Sequence, residues 1–321
     1  MTHPFYSVVA DDFAAVNHLI VDSLSSHVPM VEEISHYLVE AGGKRLRPLL
    51  VLLSANACGY EERKHIKLAT VIEFLHTAML MHDDVVDDSD LRRGRKTVNA
   101  AWGNPASVLV GDFLHSRAFE MMVQIGNMRV MEILSRSTNT IAEGEVQQLG
   151  HVHNPDITEE EYVEVITRKT ATLFQCAAHS AAVLSDAEPT QESALRDFGL
   201  HLGLAFQLID DMLDYNGETR DLGKNVGDDL AEGKVTLPLI AAMRQGDTKQ
   251  RDFVRKAIEC GGVDNLEEII HTVQATGGLQ YTVELANAER QKALSCLNRV
   301  DDTIYRSAMC SLVNFVVDRR Y

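Results

Sequence analysis

Apolar residues recur at i, i+3 and i+4 along almost the whole chain, and the period-two alternation of a half-buried strand is hard to find anywhere. A helix buries such a stripe along one face, whereas a strand would scatter it over both. Prolines stand at positions 4, 29, 48, 105, 155, 189 and 238, and all but the first lie between these segments or near their starts. There a missing N–H is tolerated. The chain is therefore expected to be all-α. Helices are predicted over 9–26 and 30–41, ending at Gly42-Gly43, then from about Leu49 to Cys58 after a GGKRLRP loop. Further helices are predicted over 64–88, roughly 105–124 and 127–149, and from a Thr158/Glu161 capping box to about Ser180. Residues 190–215 are apolar nearly all round, the mark of a buried central helix. The polar, glycine-containing stretch 216–236 is too long and too charged for a plain connector and reads as a lid-type loop. Pro238 suits the start of the next helix, and three or four more complete the chain. With no tandem repeat, low-complexity tract or break in composition, residues 1–321 are expected to form a single all-helical domain.

Charge narrows the partners. A net charge of −17 argues against a general nucleic-acid binder or a protein that coats anionic membranes, and it makes any local basic cluster more informative. Five scattered cysteines without a CxxC pair suggest reduced thiols, not a disulfide frame or a zinc site. The N-terminal stretch lacks a basic segment followed by an apolar run, and no apolar run approaches the ~18 residues that would span a bilayer. A cytoplasmic protein without a transmembrane segment is expected.

The chemistry is concentrated in two copies of D-D-x-x-D. The first is Asp83-Asp84-Val85-Val86-Asp87, in a run with five aspartates in eight residues. The second is Asp210-Asp211-Met212-Leu213-Asp214, at the end of the most apolar helix. Positions i and i+4 share one helical face, so Asp83 and Asp87 can share a cation. Both copies fall where the helix dipole disfavours carboxylates, and ionised aspartates are almost never buried unless paired or metal-bound. Such a placement predicts copies that face each other across a cavity. Oxygen-only ligands suit a hard ion such as magnesium, completed by substrate phosphate.

Basic residues supply the other half. Lys44, Arg45 and Arg47 sit in GGKRLRP, and Arg92, Arg93, Arg95 and Lys96 follow the first acids. Arginine forks match phosphate oxygens, so these clusters beside metal-type carboxylates favour a diphosphate. Lys169 with Thr170, and Lys224 and Lys234 in the long loop, are further candidates. His76, two turns before Asp83 on the same face, reads either as a satisfied core histidine or as a phosphate donor, and Gln207, near Asp210, as a polar contact close to the metals. His82 is ambiguous, while His151 and His153 lack companions at zinc spacing and read as loop residues. No P-loop or GxGxxG pattern is present.

The motifs GGKRLRP, IEFLHTAMLMHDDVVDDSDLRRGRKTVN, GDFL, AEGEVQQL, RKTATLF, FQLIDDMLDY and LGKNVGDDLAEGKVTLPL follow one another over about residues 42 to 240. In that order they resemble the trans-type polyprenyl diphosphate synthases, and within that family the bacterial members that make octaprenyl diphosphate. The resemblance implies an isoprenoid-synthase helical bundle around a central cavity, normally a homodimer. It also implies a prenyltransferase that extends an allylic diphosphate, such as farnesyl diphosphate, by successive condensation with isopentenyl diphosphate. The product would be a long all-trans polyprenyl diphosphate for quinone side chains, placing the chain in ubiquinone biosynthesis, with transient membrane contact at product release. By the same resemblance, Asp83, Asp84, Asp87, Asp210 and Asp214 would hold about three Mg2+ ions on the allylic diphosphate. Asp211, Lys169 and Lys224 would join the acids in catalysis. Arg92, Lys169, Thr170, Gln207, Lys224 and Lys234 would contact the allylic diphosphate, and Lys44, Arg47, His76 and Arg93 isopentenyl diphosphate. Synthases of geranylgeranyl, heptaprenyl or solanesyl diphosphate, and a non-catalytic helical partner subunit, are the alternative readings.

Product length would depend on the residues just upstream of the first acids. Ala78 lies about 7.5 Å along the axis from Asp83, where an aromatic side chain would block a tail growing between apolar helices. Met79, Phe119, Met121 and Met122 are the other chain-length candidates; the last three read equally well as core. Ala78→Phe is expected to shorten the product, and chromatography of the chains made by the two proteins checks it.

Overall fold

The computed structural model describes residues 3–40, 42–216, 226–261 and 265–319. By packing, the chain groups into two compact units. The first comprises Met1–Thr138, Leu173–Gly199 and Ser295–Leu312; the second comprises Asn139–Thr172, Leu200–Leu294 and Val313–Tyr321.

The helices are α1 (Pro4–Ser7), α2 (Ala10–Ser23), α3 (Pro29–Glu40), α4 (Leu46–Ala57), α5 (Lys64–Val86), α6 (Val98–Trp102), α7 (Asn104–Ile125) and α8 (Met128–His151). After them come α9 (Glu159–Ile166), α10 (Thr172–Leu184), α11 (Pro189–Leu213), α12 (Asp228–Ala231) and α13 (Leu237–Gln245). The series ends with α14 (Thr248–Cys260), α15 (Leu266–Ala275), α16 (Gly278–Leu297) and α17 (Ile304–Asp318). Thr158 and Glu161 form the expected capping box on α9, and Pro238 stands in the first turn of α13. All five cysteines are free thiols.

Besides the two short helices α1 and α6, which the apolar spacing did not predict, the structure departs from the sequence-based expectation in three places. GGKRLRP is only partly a loop: α4 begins at Leu46, with Pro48 inside its first turn, where a proline breaks no hydrogen bond. Arg47 is thereby fixed on a helix. Leu91–Arg92 (β1) and Arg95–Lys96 (β2) form a minimal antiparallel hairpin, with Leu91 opposite Lys96 and Arg92 opposite Arg95. Its two-residue turn, Arg93-Gly94, has positive φ at both positions (54° and 72°), as a primed turn requires. So short a hairpin leaves no alternation to read. Finally, the helix predicted to run on from Thr158 contains a π-helical turn, Thr167–Ala171, before it resumes as α10 and extends to Leu184. Single π-turns inside helices are frequent at functional sites.

In the first unit α4 is buried nearly all round, with Leu49, Leu50, Leu52 and Leu53 inaccessible beside Leu68, Ile72 and Leu75 of α5. Helix α7 comes close to α5 at Gly111, where a Cβ would press on the His82 ring and touch the Ala78 carbonyl. His82 answers as a packing residue, its Nε2 lying 3.2 Å from Val108 O. The second unit closes over a separate core that includes Leu208, Leu213, Tyr215, Leu237, Leu239, Val254, Ile258 and Val273.

Small residues set the closest helix approaches. At Gly199 of α11 an added Cβ would lie 2.6 Å from the Phe174 carbonyl oxygen and 2.8 Å from Gln175 Cα, both backbone atoms of α10. Neither can rotate away, so Gly199→Ala must push the helices apart. Its expected cost is about 1–3 kcal/mol, measurable as a lower midpoint in urea unfolding.

Candidate active site

In the first unit the acidic motif closes α5 as expected. Asp87 is the C-terminal cap, its N–H bonded to Asp83 O at 2.8 Å, and Ser89 N–H returns to Asp84 O at 3.0 Å. Asn99 donates to both Asp84 O and Ser89 O at 3.1 Å, and Thr97 Oγ1 donates to Ser89 O at 2.7 Å. Asp84 O, one of the carbonyls left over at this helix end, is thus satisfied by Ser89 N–H and the Asn99 amide.

The three acids of the motif do not share one environment. Asp84 is buried and engaged by Arg92, whose Nε donates at 2.8 Å and whose Nη2 lies 2.6 Å away. Burial raises its carboxyl above the usual range even against that guanidinium. Asp83 and Asp87 are half-buried and one helical turn apart.

The basic residues gather one layer away. Arg47 Nη1 sits 3.1 Å from His76 Nε2, and its guanidinium stacks over the Phe174 ring at 4.2 Å. Burial, followed by the charges of Arg47, Arg93 and Arg92, holds the His76 pKa well below its ordinary value, so the ring is neutral. A guanidinium can only donate; Nε2 therefore accepts and Nδ1 carries the proton. Arg93, at the hairpin tip, donates to Gly42 O, and a Cβ on Gly43 would collide with its guanidinium. That close approach explains the glycine. Lys44 is exposed, its carbonyl accepting from the Tyr6 hydroxyl.

Two residues without an assigned role complete this half. Glu73 Oε1 lies 3.8 Å from Arg45 Nε; burial raises its carboxyl, opposed by Arg45, Arg47 and Arg93. Arg45, at φ 46°, also donates to Asn17 Oδ1 and so fastens α2 to the loop before α4. A single Glu one turn before a His carries no signal of this function in sequence. A cavity of about 90 Å³ in this unit is lined by Arg45, Glu73, His76, Arg92 and Arg93 beside apolar residues of α2, α3 and α5.

In the second unit the π-turn presents Lys169 and Thr170. Lys169 Nζ lies 2.6 Å from Glu145 Oε2 and donates to Gln148 Oε1 at 2.9 Å, while a Cβ on Gly144 would collide with Arg168 Cβ. Thr170 donates to Gln207 Oε1 at 2.8 Å, and Gln207 Nε2 donates to Asp211 Oδ1 at 2.7 Å. Tyr162 closes the chain from the far side, its hydroxyl donating to Asp211 Oδ2 at 2.5 Å. Asp211 is buried, and burial, with the charge of Asp229 added, pushes its pKa up to about 7. Asp214 is fully buried at the end of α11, its Oδ2 accepting from Asp229 N–H at 3.3 Å. Asp210 lies beside Arg319.

A cavity of about 100 Å³ in this unit is lined by Lys169, Thr170, Gln207, Asp211, Asp229 and Lys234. Lys234 also pairs with Glu232 at 2.7 Å. Lys224 lies outside the described residues. Tyr162, Glu145, Gln148, Asp229 and Arg319 were not singled out from sequence; a lone Tyr in an acidic first turn or an Arg near the C-terminus looks like ordinary surface there. Among the described residues no three acid, histidine or cysteine side chains are already gathered as a metal cage. Ala78, Met121 and Met122 are buried and Met79 and Phe119 half-buried, and none of the five lines either cavity.

The family model for polyprenyl synthetase matches residues 28–275. The chain is 50% identical to octaprenyl diphosphate synthase of Escherichia coli over 313 residues, covering 97% of each. It is 49% identical to the all-trans-nonaprenyl-diphosphate synthase (geranyl-diphosphate specific) of Rhodobacter capsulatus, covering 97% of this chain and 96% of that one. Its fold matches a crystal structure of a Caulobacter crescentus polyprenyl synthase complexed with calcium and isoprenyl diphosphate. That match has a TM-score of 0.96 at 42% identity and covers 99% and 98% of the two chains. The chain belongs to the polyprenyl synthetase family.

The Tyr162 hydroxyl is one of two side-chain donors on a buried carboxylate. Tyr162→Phe strands Asp211 Oδ2 and is expected to lower stability by about 1–3 kcal/mol, read from equilibrium denaturation.

Proposed function

We propose that this chain is a trans-prenyltransferase that extends an allylic diphosphate by successive condensation with isopentenyl diphosphate. Its product is a long-chain all-trans polyprenyl diphosphate, most simply octaprenyl diphosphate, since 50% identity runs over nearly the whole of an octaprenyl synthase. The observation that carries the reading is that each acidic motif ends a helix among phosphate-matching side chains of its own unit, Arg92 beside Asp84 and Gln207 with Thr170 beside Asp211. The middle carboxylate is tied to protein, Asp84 to Arg92 and Asp211 to Tyr162 and Gln207. The outer pairs, Asp83 with Asp87 and Asp210 with Asp214, are the ones that would hold divalent cations.

Those donors suit magnesium. They offer oxygens only and too few of them for a closed cage, as expected for an ion that keeps waters and takes substrate phosphate as further ligands. When bound, the ion supplies Lewis-acid neutralisation of the leaving diphosphate. The likeness to a structure complexed with calcium and isoprenyl diphosphate supports a divalent site of this kind.

The chain's own residues do the rest. Lys169, Thr170 and Gln207 hold the allylic diphosphate with Arg92, Lys234 and Lys224. Arg47, Arg93, Lys44 and the Nδ1–H of neutral His76 hold isopentenyl diphosphate. The allylic C–O bond breaks and its electron pair leaves with diphosphate. The isopentenyl double bond then supplies the pair for the new C–C bond, and a proton departs to the released diphosphate. No nucleophilic side chain is needed; fixed donors beside the developing charge carry the catalysis.

We further propose that the two units act together as one catalytic domain, that the chain works as a homodimer, and that Ala78 and Met79 with Phe119 and Met122 limit product length. Among the described residues no helix is long and apolar enough to cross a membrane.

One incubation with farnesyl diphosphate, isopentenyl diphosphate and magnesium, read by mass, tests the function; the expected product is octaprenyl diphosphate, and another length reassigns the chain within the family. Asp83→Ala and Asp210→Ala are each expected to lower turnover by about 10²–10³ in a protein with unchanged circular dichroism. Near-normal turnover would remove the assigned role of the acids.

A further inference from the structure

Asp210, the first carboxylate of the second motif, has a partner from the far end of the chain. Arg319 follows α17 directly, and only 4% of its side chain is exposed. Its Nη2 lies 2.5 Å from Asp210 Oδ1 and donates to Phe206 O at 2.8 Å. Its Nε donates to Val316 O at 3.1 Å, and its guanidinium lies over the Phe206 ring at 4.2 Å. The planar fork is thus fixed by two backbone carbonyls and a ring before it meets the carboxylate.

A cation placed against a carboxylate is, by charge alone, a poor neighbour for an arriving divalent ion. If Asp210 needed only negative charge to do its work, a buried guanidinium would be a liability. What the arrangement provides is orientation. Arg319 is held on three sides and cannot follow Asp210, so Asp210 must settle on Arg319. With Oδ1 engaged, Oδ2 is left in one direction. This is how outer partners hold metal-binding carboxylates and histidines in general.

We propose that Arg319 is a positioning residue for the second acidic motif, pinning Asp210 Oδ1 so that Oδ2 is presented in a single orientation to the divalent ion that carries the allylic diphosphate. The proposal rests on the reading of Asp210 as a metal ligand, and its test separates the two. Mn2+ binding to the full-length protein in the presence of inorganic pyrophosphate is measured by calorimetry and electron paramagnetic resonance. The proteins compared are the unsubstituted chain, Arg319→Met, Arg319→Lys and Asp210→Asn.

Arg319→Met keeps the apolar stem and is expected to weaken Mn2+ binding about tenfold, within the range usual for residues that orient a metal ligand. Arg319→Lys keeps the charge without the fork and is expected to recover only part of that loss. Unchanged or tighter Mn2+ binding in a folded Arg319→Met protein overturns the proposal, because a merely structural pair, or one acting by repulsion, predicts that result. If Arg319→Met does not fold, Arg319→Lys decides: weaker binding supports the fork's role and unchanged binding refutes it. Loss of Mn2+ binding in Asp210→Asn with full binding in Arg319→Met sinks only the role of Arg319. Full binding in Asp210→Asn removes the metal reading of Asp210 and this proposal with it.

Discussion

A carboxylate at the C-terminal end of a helix meets the negative end of the dipole, and this chain places two sets of three there. The cost is offset in part because acids of each set are paired with side chains of the protein. Asp84 lies under the Arg92 fork, and Asp211 lies between the Tyr162 hydroxyl and the Gln207 amide. Each commitment also orients a neighbour. Arg92 is drawn onto the helix end by Asp84, and Gln207 is turned so that its oxygen meets Thr170. The buried middle acids therefore orient the side chains proposed to bind phosphate.

Much of this was legible in the residues. Helix positions followed from apolar spacing, the capping box at Thr158 from two residues, and the acid motifs from i, i+4 geometry. The hidden parts were those that pattern cannot encode. The hairpin 91–96 is too short to alternate, and the π-turn 167–171 uses residues that an α-helix accepts equally well. The partners Glu73, Tyr162 and Arg319 come from other elements, so nothing in their own neighbourhood announces them. Spacing shows which acids share a helix, but only the fold shows that Asp84 and Asp211 are buried against side chains from other positions.

The histidines show the same limit from the other direction. Sequence separates His76, His82 and His153 only by their place relative to the acids and loops. In the structure His76 is a neutral acceptor for an arginine, His82 lies against a carbonyl of α7, and His153 fills the space over Gly233 with Nδ1 2.9 Å from Ile258 O. Their chemistry is decided by what packs on them, not by spacing to the next charged residue.

The hairpin that carries Arg92 and Arg93 has one more implication. Successive residues leave it in different directions, one guanidinium toward the end of α5 and the other toward the Gly42 carbonyl. A two-residue turn fixes that divergence by count. Adding or removing one residue would change the turn and with it the direction in which each arginine leaves, whereas changing the identity of the exposed Leu91 or Lys96 leaves the turn as it is. In this segment length is therefore under tighter physical control than composition.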